Sequence, residues 1–133
     1  MTPQTAQAFL EENFAPWVLA LDPKVTEIGP DRTILQIPIT AALNRTGGIV
    51  SGQALTALAD TAMVLACGGH FGEMVPVGTV TLDTQFLRPA TGDAVVATAT
   101  ITRAGRSMVF ATCRMHTVPG DKDVALATAT FAR

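Results

Sequence analysis

The spacing of apolar residues predicts one long buried helix in the middle of the chain. Residues 47–69 read GGIVSGQALTALADTAMVLACGG, where Ala, Leu, Met and Val occupy every side of a helix and Asp60 is the only charged residue. A helix that is apolar all round is buried all round, here between a sheet and either a second layer or a partner chain. Ser51 is a favourable N-cap, and Gly68–Gly69 is predicted to end the helix.

Beyond Pro76 the apolar period shortens to two residues, which is typical of β-strands. In the first of these strands, one face carries Thr79, Thr81, Asp83 and Gln85, and the other carries Val80, Leu82 and Phe86. Between turns rich in Gly, Pro and Asp, three further strands are predicted over residues 94–103, 107–118 and 124–133. Because tight turns join antiparallel neighbours, the four strands are predicted to form a meander.

The first part of the chain predicts a short helix and two strands. Thr2–Pro3 is a favourable helix start, so a helix is predicted over residues 4–14, with Pro16 ending it. Two strands are predicted over residues 25–28 and 33–39, on either side of a turn rich in Gly, Pro and Asp.

These elements predict an α+β fold in which one antiparallel sheet wraps around the long helix. A length of 133 residues suits a single domain over residues 1–133. Hydrophobic residues make up 48% of the chain and charged residues 15%. Because so low a charge is unusual for the surface of a free monomer, part of the surface is predicted to be covered by another subunit.

Charge and cysteine content narrow the expected partners and location. A net charge of −2 gives no reason to expect nucleic acid or an acidic membrane as a partner. Residues 54–66, interrupted by Asp60, are too short a run to span a bilayer. Cys67 and Cys113 form no paired motif, and the N-terminus lacks the pattern of a signal peptide. We therefore expect a reduced, cytoplasmic setting.

Asp60 is the first candidate for chemistry, because desolvating a lone carboxylate is costly. Such a carboxylate can activate water or attack a carbonyl directly. The backbone N–H groups of Gly52 and Gln53 lie in the first turn of the same helix without intrahelical partners. They can stabilise negative charge on a carbonyl oxygen, and Gly52 lets a substrate approach the backbone closely. The alternative is a structural Asp60 that accepts backbone N–H bonds.

Several short motifs follow one another at a specific spacing. In order they are Asn44, Gly48, Ser51-Gly52-Gln53, Leu58-Ala59-Asp60-Thr61-Ala62, Thr79-Val80-Thr81-Leu82, Phe86-Leu87-Arg88-Pro89-Ala90, Gly92-Asp93 and Gly105-Arg106. From residue 44 to residue 131 the chain resembles the hotdog-fold acyl-CoA thioesterases, in particular the phenylacetate-pathway (PaaI-like) group. In the family pattern a His stands where this chain has Ser51, and a second Gly where it has Gln53.

The resemblance implies a role for each matched position. Gly52 would donate its amide to the oxyanion, and Asp60 would be the general base or the nucleophile. Thr79 matches a Ser or Thr that holds the attacking water, with an ordinary strand threonine as an equal alternative. The polar residues expected to contact substrate are Asn44, Ser51 and Gln53, although Asn44 can be a simple loop residue and Ser51 a simple N-cap. Gln53 would either narrow the cleft or cap a neighbouring helix.

Gly52 and Asp60 are two helical turns apart, about 12 Å at a rise of 1.5 Å per residue. Gly52 and Asp60 of one chain are too far apart to contact the same carbonyl group. They can act together only if they come from different subunits whose central helices lie side by side and antiparallel. The resemblance likewise implies catalytic sites at a dimer interface. We therefore expect a homodimer or a homotetramer with shared sites.

Guanidinium groups bind phosphate bidentately, so the candidates to hold the phosphates of CoA are Arg45, Arg88, Arg103 and Arg106. Arg88 and Arg106 match positions that the resembled family keeps. No metal site is expected, because His70 and His116 make no ligand spacing with Cys, Asp or Glu. No separate cofactor is expected, since CoA arrives with the substrate.

The expected function is hydrolysis of an acyl-CoA thioester with a small or medium acyl group, aromatic ones included. One alternative is a non-catalytic acyl-CoA binder or sensor, which is favoured because Ser51 stands in place of the family His and Gln53 in place of the second Gly. A second is a hotdog dehydratase, which needs an Asp–His pair on the central helix, and no His lies between residues 47 and 69. A Cys67 nucleophile is disfavoured, because His70 lies beyond the closing glycines and nothing orients it.

Overall fold

The chain folds into three α-helices, one short 3-10 helix (Ala41–Leu43) and eight strands, with the long predicted helix in the middle. The computed structural model describes all residues, Met1–Arg133. The helices are α1 (Pro3–Asn13), α2 (Pro16–Leu19) and α3 (Gly52–Phe71). The strands are β1 (Lys24–Ile28), β2 (Thr33–Pro38), β3 (Asn44–Arg45), β4 (Ile49–Val50), β5 (Gly78–Phe86), β6 (Ala94–Ala104), β7 (Met108–Val118) and β8 (Asp123–Ala132).

Six strands form one antiparallel sheet, in the order β1-β2-β6-β7-β8-β5. α3 packs across this sheet and contacts its central strands, β6 and β7, most extensively. β3 and β4 form a separate small hairpin just before α3. The arrangement confirms the predicted α+β fold, an antiparallel sheet wrapped around a long central helix.

The predicted meander is correct for β6, β7 and β8 but wrong for β5, which pairs with β8 at the far edge of the sheet. The reason is the connection over residues 87–93, which is longer than a hairpin turn. It crosses the ends of the two intervening strands: the Leu87 amide donates to Val124 O at 2.8 Å, and the Asp93 amide donates to Val118 O at 2.7 Å. At about 3.3 Å per extended residue, this segment can bridge three strand spacings of about 4.8 Å.

α3 continues through Gly68 and Gly69 and ends at Gly72, so the predicted stop at the glycine pair is wrong. Gly72 has a φ of 79°, the left-handed conformation that commonly ends a helix. The two earlier glycines permit close packing instead. A Cβ at Gly69 would lie 2.7 Å from the carbonyl oxygen of Gly29, and a Cβ at Gly68 would overlap Met74 Sδ.

The N-terminal helix covers one edge of the sheet. α1 begins as predicted, with Pro3 in its first turn and Thr2 as an N-cap whose side chain accepts a hydrogen bond from the Thr5 amide. At the β1 edge, the Val25 amide donates to Gln7 Oε1 at 2.8 Å. The opposite edge, β5, consists mostly of exposed residues and has no such cover within the chain.

α3 has one buried face and one partly open face. The face that packs on the sheet includes the fully buried Leu58, Ala62 and Leu65. The other face carries the half-buried Thr56, Ala57, Asp60 and Val64. Within one chain this second face meets the edge strand β5 through hydrogen bonds at Thr56 and Asp60 but stays half-buried, so the predicted burial on all sides is not reached by a single copy.

α3 is also long and apolar enough to cross a membrane, judged by length and composition alone. However, 67% of an apolar stretch of 18 residues in this helix is buried inside the fold. The core helix of a soluble protein passes the same test, so this helix is weak evidence for a membrane span.

Candidate active site

Asp60 lies in the middle of α3, and its carboxylate accepts a hydrogen bond from a residue of β5. Thr79 Oγ1 is 3.0 Å from Asp60 Oδ1. A second bond between the same two elements, 3.3 Å from Thr56 Oγ1 to Thr84 Oγ1, lies one helical turn earlier. The structure thus brings together two residues that sequence analysis predicts as catalytic. The Thr56–Thr84 contact was not predicted, because neither residue belongs to a recognised motif.

A β-bulge at Val80 turns Thr79 towards α3. Simple alternation predicts that Thr79 shares a face with Thr81, opposite to that of Leu82. In the structure Thr79 pairs with Phe131 and Thr81 pairs with the neighbouring residue of β8, so Val80 is the extra residue. The bulge shifts the alternation by one position, which places Thr79 and Leu82 on the face that meets α3. The predicted alternation is therefore wrong at Thr79.

The environment of Asp60 changes its acidity. Its carboxyl is half-buried, and burial raises its pKa above the ordinary value by disfavouring the charged form. The hydrogen bond from Thr79 acts in the opposite direction and lowers this pKa. None of the ion pairs in the chain involves Asp60. A carboxylate with a raised pKa in a cleft is a candidate general base or nucleophile.

The N-terminus of α3 lies at the same cleft. Ser51 is the N-cap, as predicted, and its Oγ accepts a hydrogen bond of 3.3 Å from the Ala54 amide. The first backbone bond of the helix runs from Leu55 N to Ser51 O. The N–H groups of Gly52 and Gln53 precede it and are free of intrahelical partners. These amides and the positive end of the helix dipole favour a developing negative charge.

Phe86 lies over Gly52. A Cβ at Gly52 would be 3.1 Å from Phe86 Cζ, so the ring already rests against the glycine backbone. The ring is 55% exposed and lines two neighbouring clefts that both include Gly52. Phe86 opens one of the recognised motifs, but its apolar position in a strand does not predict this contact.

The larger cleft has a volume of about 720 Å³ and is lined by both Gly52 and Asp60. Beside α3, its lining comes from β5 (Leu82 and Phe86), from α2 (Trp17 and Val18) and from Phe14, which follows α1. Asp60 is the only charged residue of the lining. This volume, with an apolar lining and few polar groups, is typical of small-molecule sites. The contribution of Phe14, Trp17 and Val18 to this cleft is not predicted from the sequence, because these residues belong to no motif.

The three polar residues expected to contact substrate lie in different places. Gln53 is exposed and lines both the large cleft and a smaller neighbour of about 270 Å³. Ser51 lines only the smaller one. Asn44, on β3, lines neither, and its Oδ1 is buried without a hydrogen-bond partner in the chain. An unsatisfied buried acceptor is costly, so an external donor would stabilise Asn44.

The fold separates the arginines predicted to bind phosphate. Arg45 and Arg88 line one cleft of about 370 Å³ beside the N-terminus of α3. Neither guanidinium has a carboxylate partner, since Arg45 donates to Thr46 O at 2.7 Å and Arg88 donates to Asp123 O. Arg106 lies in the β6–β7 turn, at the opposite end of the sheet. One chain therefore does not bring Arg88 and Arg106 to the same cleft.

The cysteines are poor nucleophiles. Burial raises the pKa of the Cys67 thiol to about 11 and that of the Cys113 thiol to about 12. The thiolate is the nucleophile, so both are essentially unreactive at neutral pH. His70 lies in the last turn of α3, with its ring edge-on to Phe71 at 5.0 Å. No three His, Cys, Asp or Glu side chains are close enough to share a metal ion.

An antiparallel sheet wrapped around one long helix is the arrangement of the hotdog fold, and this chain has it. Residues 47–124 match the sequence pattern of the Thioesterase superfamily. This match covers more than half of the chain, and the chain belongs to the thioesterase superfamily. No curated protein sequence matches it.

Solved structures share the fold. A conserved protein from Pseudomonas aeruginosa is 26% identical, with a TM-score of 0.84 over 92% of this chain and 96% of that one. A thioesterase from Haemophilus influenzae is 21% identical, with a TM-score of 0.87 over 99% and 90%. Thioesterase superfamily member 2 from zebrafish is 20% identical, with a TM-score of 0.85 over 99% and 98%. Superfamily membership supports thioester hydrolysis as the general class of activity.

Proposed function

We propose that the protein hydrolyses acyl-CoA thioesters with small or medium acyl groups, aromatic ones included, to the free acid and CoA. The hydrogen bond from Thr79 to Asp60 carries this proposal, because it lies in a cleft that also includes the N-terminus of α3 at Gly52. Thioester hydrolysis needs a carboxylate for the water and a donor for the oxyanion, and this cleft has both.

In the proposed reaction the Gly52 N–H donates to the carbonyl oxygen as that oxygen gains negative charge. Asp60 removes a proton from a water held by the Thr79 hydroxyl, and the water oxygen bonds to the carbonyl carbon. The C–S bond then breaks, and the leaving thiolate takes the proton from Asp60. In the alternative route, Asp60 attacks directly and forms a mixed anhydride, which water cleaves. Both routes convert one thioester and one water into one acid and one thiol.

The proposed site lies between two copies of the chain, because Gly52 and Asp60 of one copy are about 12 Å apart along α3. Two features support this placement. The second face of α3 stays half-buried in one copy, and β5 is an exposed edge strand whose free N–H and C=O groups can pair with another chain. Antiparallel pairing would set Gly52 of each copy opposite Asp60 of the other. The protein would then be a homodimer, or a homotetramer built from two dimers.

Arg45 and Arg88 are proposed to hold the phosphates of CoA. Their cleft shares Gly52 and Phe86 with the larger cleft, so a thioester can extend into both with its carbonyl at Gly52. Both arginine charges lack a carboxylate partner, which leaves them available to phosphate. Arg106 would reach this region only from the partner copy. CoA comes with the substrate, so the proposal includes no further cofactor and no nucleic-acid or membrane partner.

The polar residues around the helix start bear on the alternatives. The N-cap role of Ser51 and the position of Gln53 in the cleft fit either a thioesterase or a non-catalytic acyl-CoA sensor. A dehydratase is disfavoured, because the only His of α3 is His70 in its last turn. Membership of the PaaI-like group remains a prediction that rests on motif order. A cytoplasmic location remains a prediction that rests on two free, buried cysteines.

Release of free thiol from a panel of acyl-CoA esters tests this proposal. Wild type is compared with Asp60→Asn and with the matched control Asp83→Asn, an exposed aspartate on β5. We expect release by wild type and by the control, and release at least about 100-fold slower in Asp60→Asn. Binding without release in wild type would favour the sensor. Unchanged release in Asp60→Asn would exclude the proposed role of that carboxylate.

A further inference from the structure

We infer that Trp17 and Gln53 form the wall that ends the acyl cleft, and that Trp17 limits the length of the acyl group. This inference rests on the proposed function, because it assumes that the thioester carbonyl lies at Gly52. It adds a specificity-determining residue from the N-terminal helices, outside every motif of the central helix.

Trp17 and Gln53 are the two residues that line both the cleft of about 720 Å³ and the neighbouring one of about 270 Å³. Residues that line two adjacent clefts stand between them. Trp17 comes from α2 and Gln53 from the first turn of α3, so the wall joins two elements far apart in sequence. Truncating either side chain would connect the two clefts.

An acyl chain is the occupant that the lining favours. Apart from Ser51 and Gln53, the smaller cleft is lined by Trp17, Ala20, Leu21, Ala42, Leu43 and Ala54, and no charged residue lines it. The larger cleft contains a single charge, at Asp60, about 12 Å along α3 from Gly52. Phosphate groups have a separate cleft, with Arg45 and Arg88. Hydrocarbon is therefore the part of the substrate that fits against this wall.

Trp17 is suited to limit a hydrocarbon chain. Its side chain is 61% exposed, the largest value among the exposed large hydrophobic residues. Such an indole gains contact area when an apolar ligand covers it. A chain that reaches Trp17 buries further methylenes only by passing the wall, so the gain in affinity with length should stop there.

Trp17 is the only tryptophan, so its emission reports directly on this wall. The test titrates full-length wild type with non-hydrolysable thioether analogues of acyl-CoA that carry alkyl chains of increasing length, and with CoA alone. We expect affinity to rise roughly fourfold per methylene and then to level off. At that length Trp17 emission should shift to shorter wavelength, whereas CoA alone should leave it unchanged.

Substitutions in this wall should change the acyl-chain length at which affinity levels off. Trp17→Ala and Gln53→Ala should each bind the first chains beyond the wild-type limit at least about tenfold more tightly than wild type does, as measured by calorimetry. Phe110→Ala is the matched control, because Phe110 is another exposed aromatic residue, on β7 and outside the clefts. It should keep the wild-type limit.

Four outcomes would overturn the inference. Long chains could bind wild type without changing Trp17 emission, or Trp17→Ala could keep the wild-type limit; in both cases hydrolysis and the proposed function stand. Emission could depend on protein concentration and not on chain length, which would show that a second copy covers Trp17. If wild type neither binds the analogues nor hydrolyses any thioester, the proposed function fails and the inference fails with it.

Discussion

Thr79 Oγ1 lies 3.0 Å from Asp60 Oδ1, and this hydrogen bond ties the edge strand β5 to the middle of α3. It forms because the bulge at Val80 turns Thr79 to the inner face of the sheet. The bond opposes the effect of burial on the carboxyl, since burial raises the pKa of Asp60 and the hydroxyl lowers it. Thr79 is therefore expected to adjust the acidity of Asp60 as well as to position water.

Thr79→Ala is predicted to shift the pH dependence of activity. The base form of Asp60 is the active one, so activity falls as pH drops through its pKa. Losing the hydroxyl removes an interaction that lowers this pKa, so the acidic limb of kcat/KM should move to higher pH. At the pH optimum we also expect a loss of roughly tenfold or more, from the missing hydrogen bond to a charged group.

Two variants serve as controls for that profile, measured as kcat/KM against pH. Thr79→Ser keeps the hydroxyl and should retain the wild-type limb. Thr81→Ala removes an exposed threonine from the other face of β5 and should change nothing. An acidic limb that stays in place in Thr79→Ala would show that the bond does not influence Asp60 during catalysis.

Asp60→Asn is predicted to stabilise the fold at neutral pH while removing activity. Burial raises the folded-state pKa of Asp60 above its ordinary value of 3.8, so the folded protein binds this proton more tightly than the unfolded chain. As pH rises from 3.8 to the folded-state pKa, the unfolded chain loses the proton first and stability falls. An amide avoids this loss and can still accept the bond from Thr79.

Thermal unfolding at several pH values measures the effect. The Tm of Asp60→Asn should exceed that of wild type by a few degrees at neutral pH, and the gain should vanish below the ordinary carboxyl pKa. Asp83→Asn, at an exposed position, is the control and should show no such pH-dependent gain. A Tm that is lower in Asp60→Asn at neutral pH would mean that the charged carboxylate stabilises the fold.

Gly52→Ala is predicted to reduce activity without unfolding the protein. The added Cβ would lie 3.1 Å from Phe86 Cζ and would occupy the space where the thioester approaches the backbone. A displaced carbonyl can cost about 100-fold in kcat/KM. The Tm should change little, because alanine is favoured over glycine in a helix by about 0.5–1 kcal/mol and the exposed ring can shift.

Steady-state kinetics with two further variants isolates the cause. Gly29→Ala is the control, because a Cβ there meets nothing within 4 Å. The double variant Gly52→Ala/Phe86→Leu removes the crowding by the ring but leaves the methyl group in the path of the substrate. It should stay as slow as Gly52→Ala, and recovery to the wild-type rate would mean that only the ring position matters.

Mixing inactive chains tests whether the site is shared. In a two-fold dimer, a chain with Gly52→Ala and a chain with Asp60→Asn together form one doubly defective site and one intact site. If equal amounts of the two variants exchange subunits at random, thiol release should therefore recover to about a quarter of the wild-type rate. If both residues act within one chain, mixing restores nothing. Mixing either variant with itself is the control.

Local patterns in the sequence are sufficient for much of this architecture. The period of α3, its N-cap Ser51 and the strands β6 to β8 each depend on residues only a few positions apart. Asp60 was identified for the same reason, since a single carboxylate in an apolar helix is unusual in any fold. The same local patterns misplace the end of α3, because Gly68 and Gly69 permit close packing and do not stop the helix.

The sequence by itself determined the α+β class, the central helix and the carboxylate that it carries, because hydrophobic period and capping are local properties. Only the tertiary structure decided that β5 lies beside β8, that Thr79 faces Asp60, and that Trp17 lines the same cleft. These are pairings between distant segments. A strand has the same local pattern at either edge of a sheet, and one extra residue in a bulge reverses the face of its neighbour.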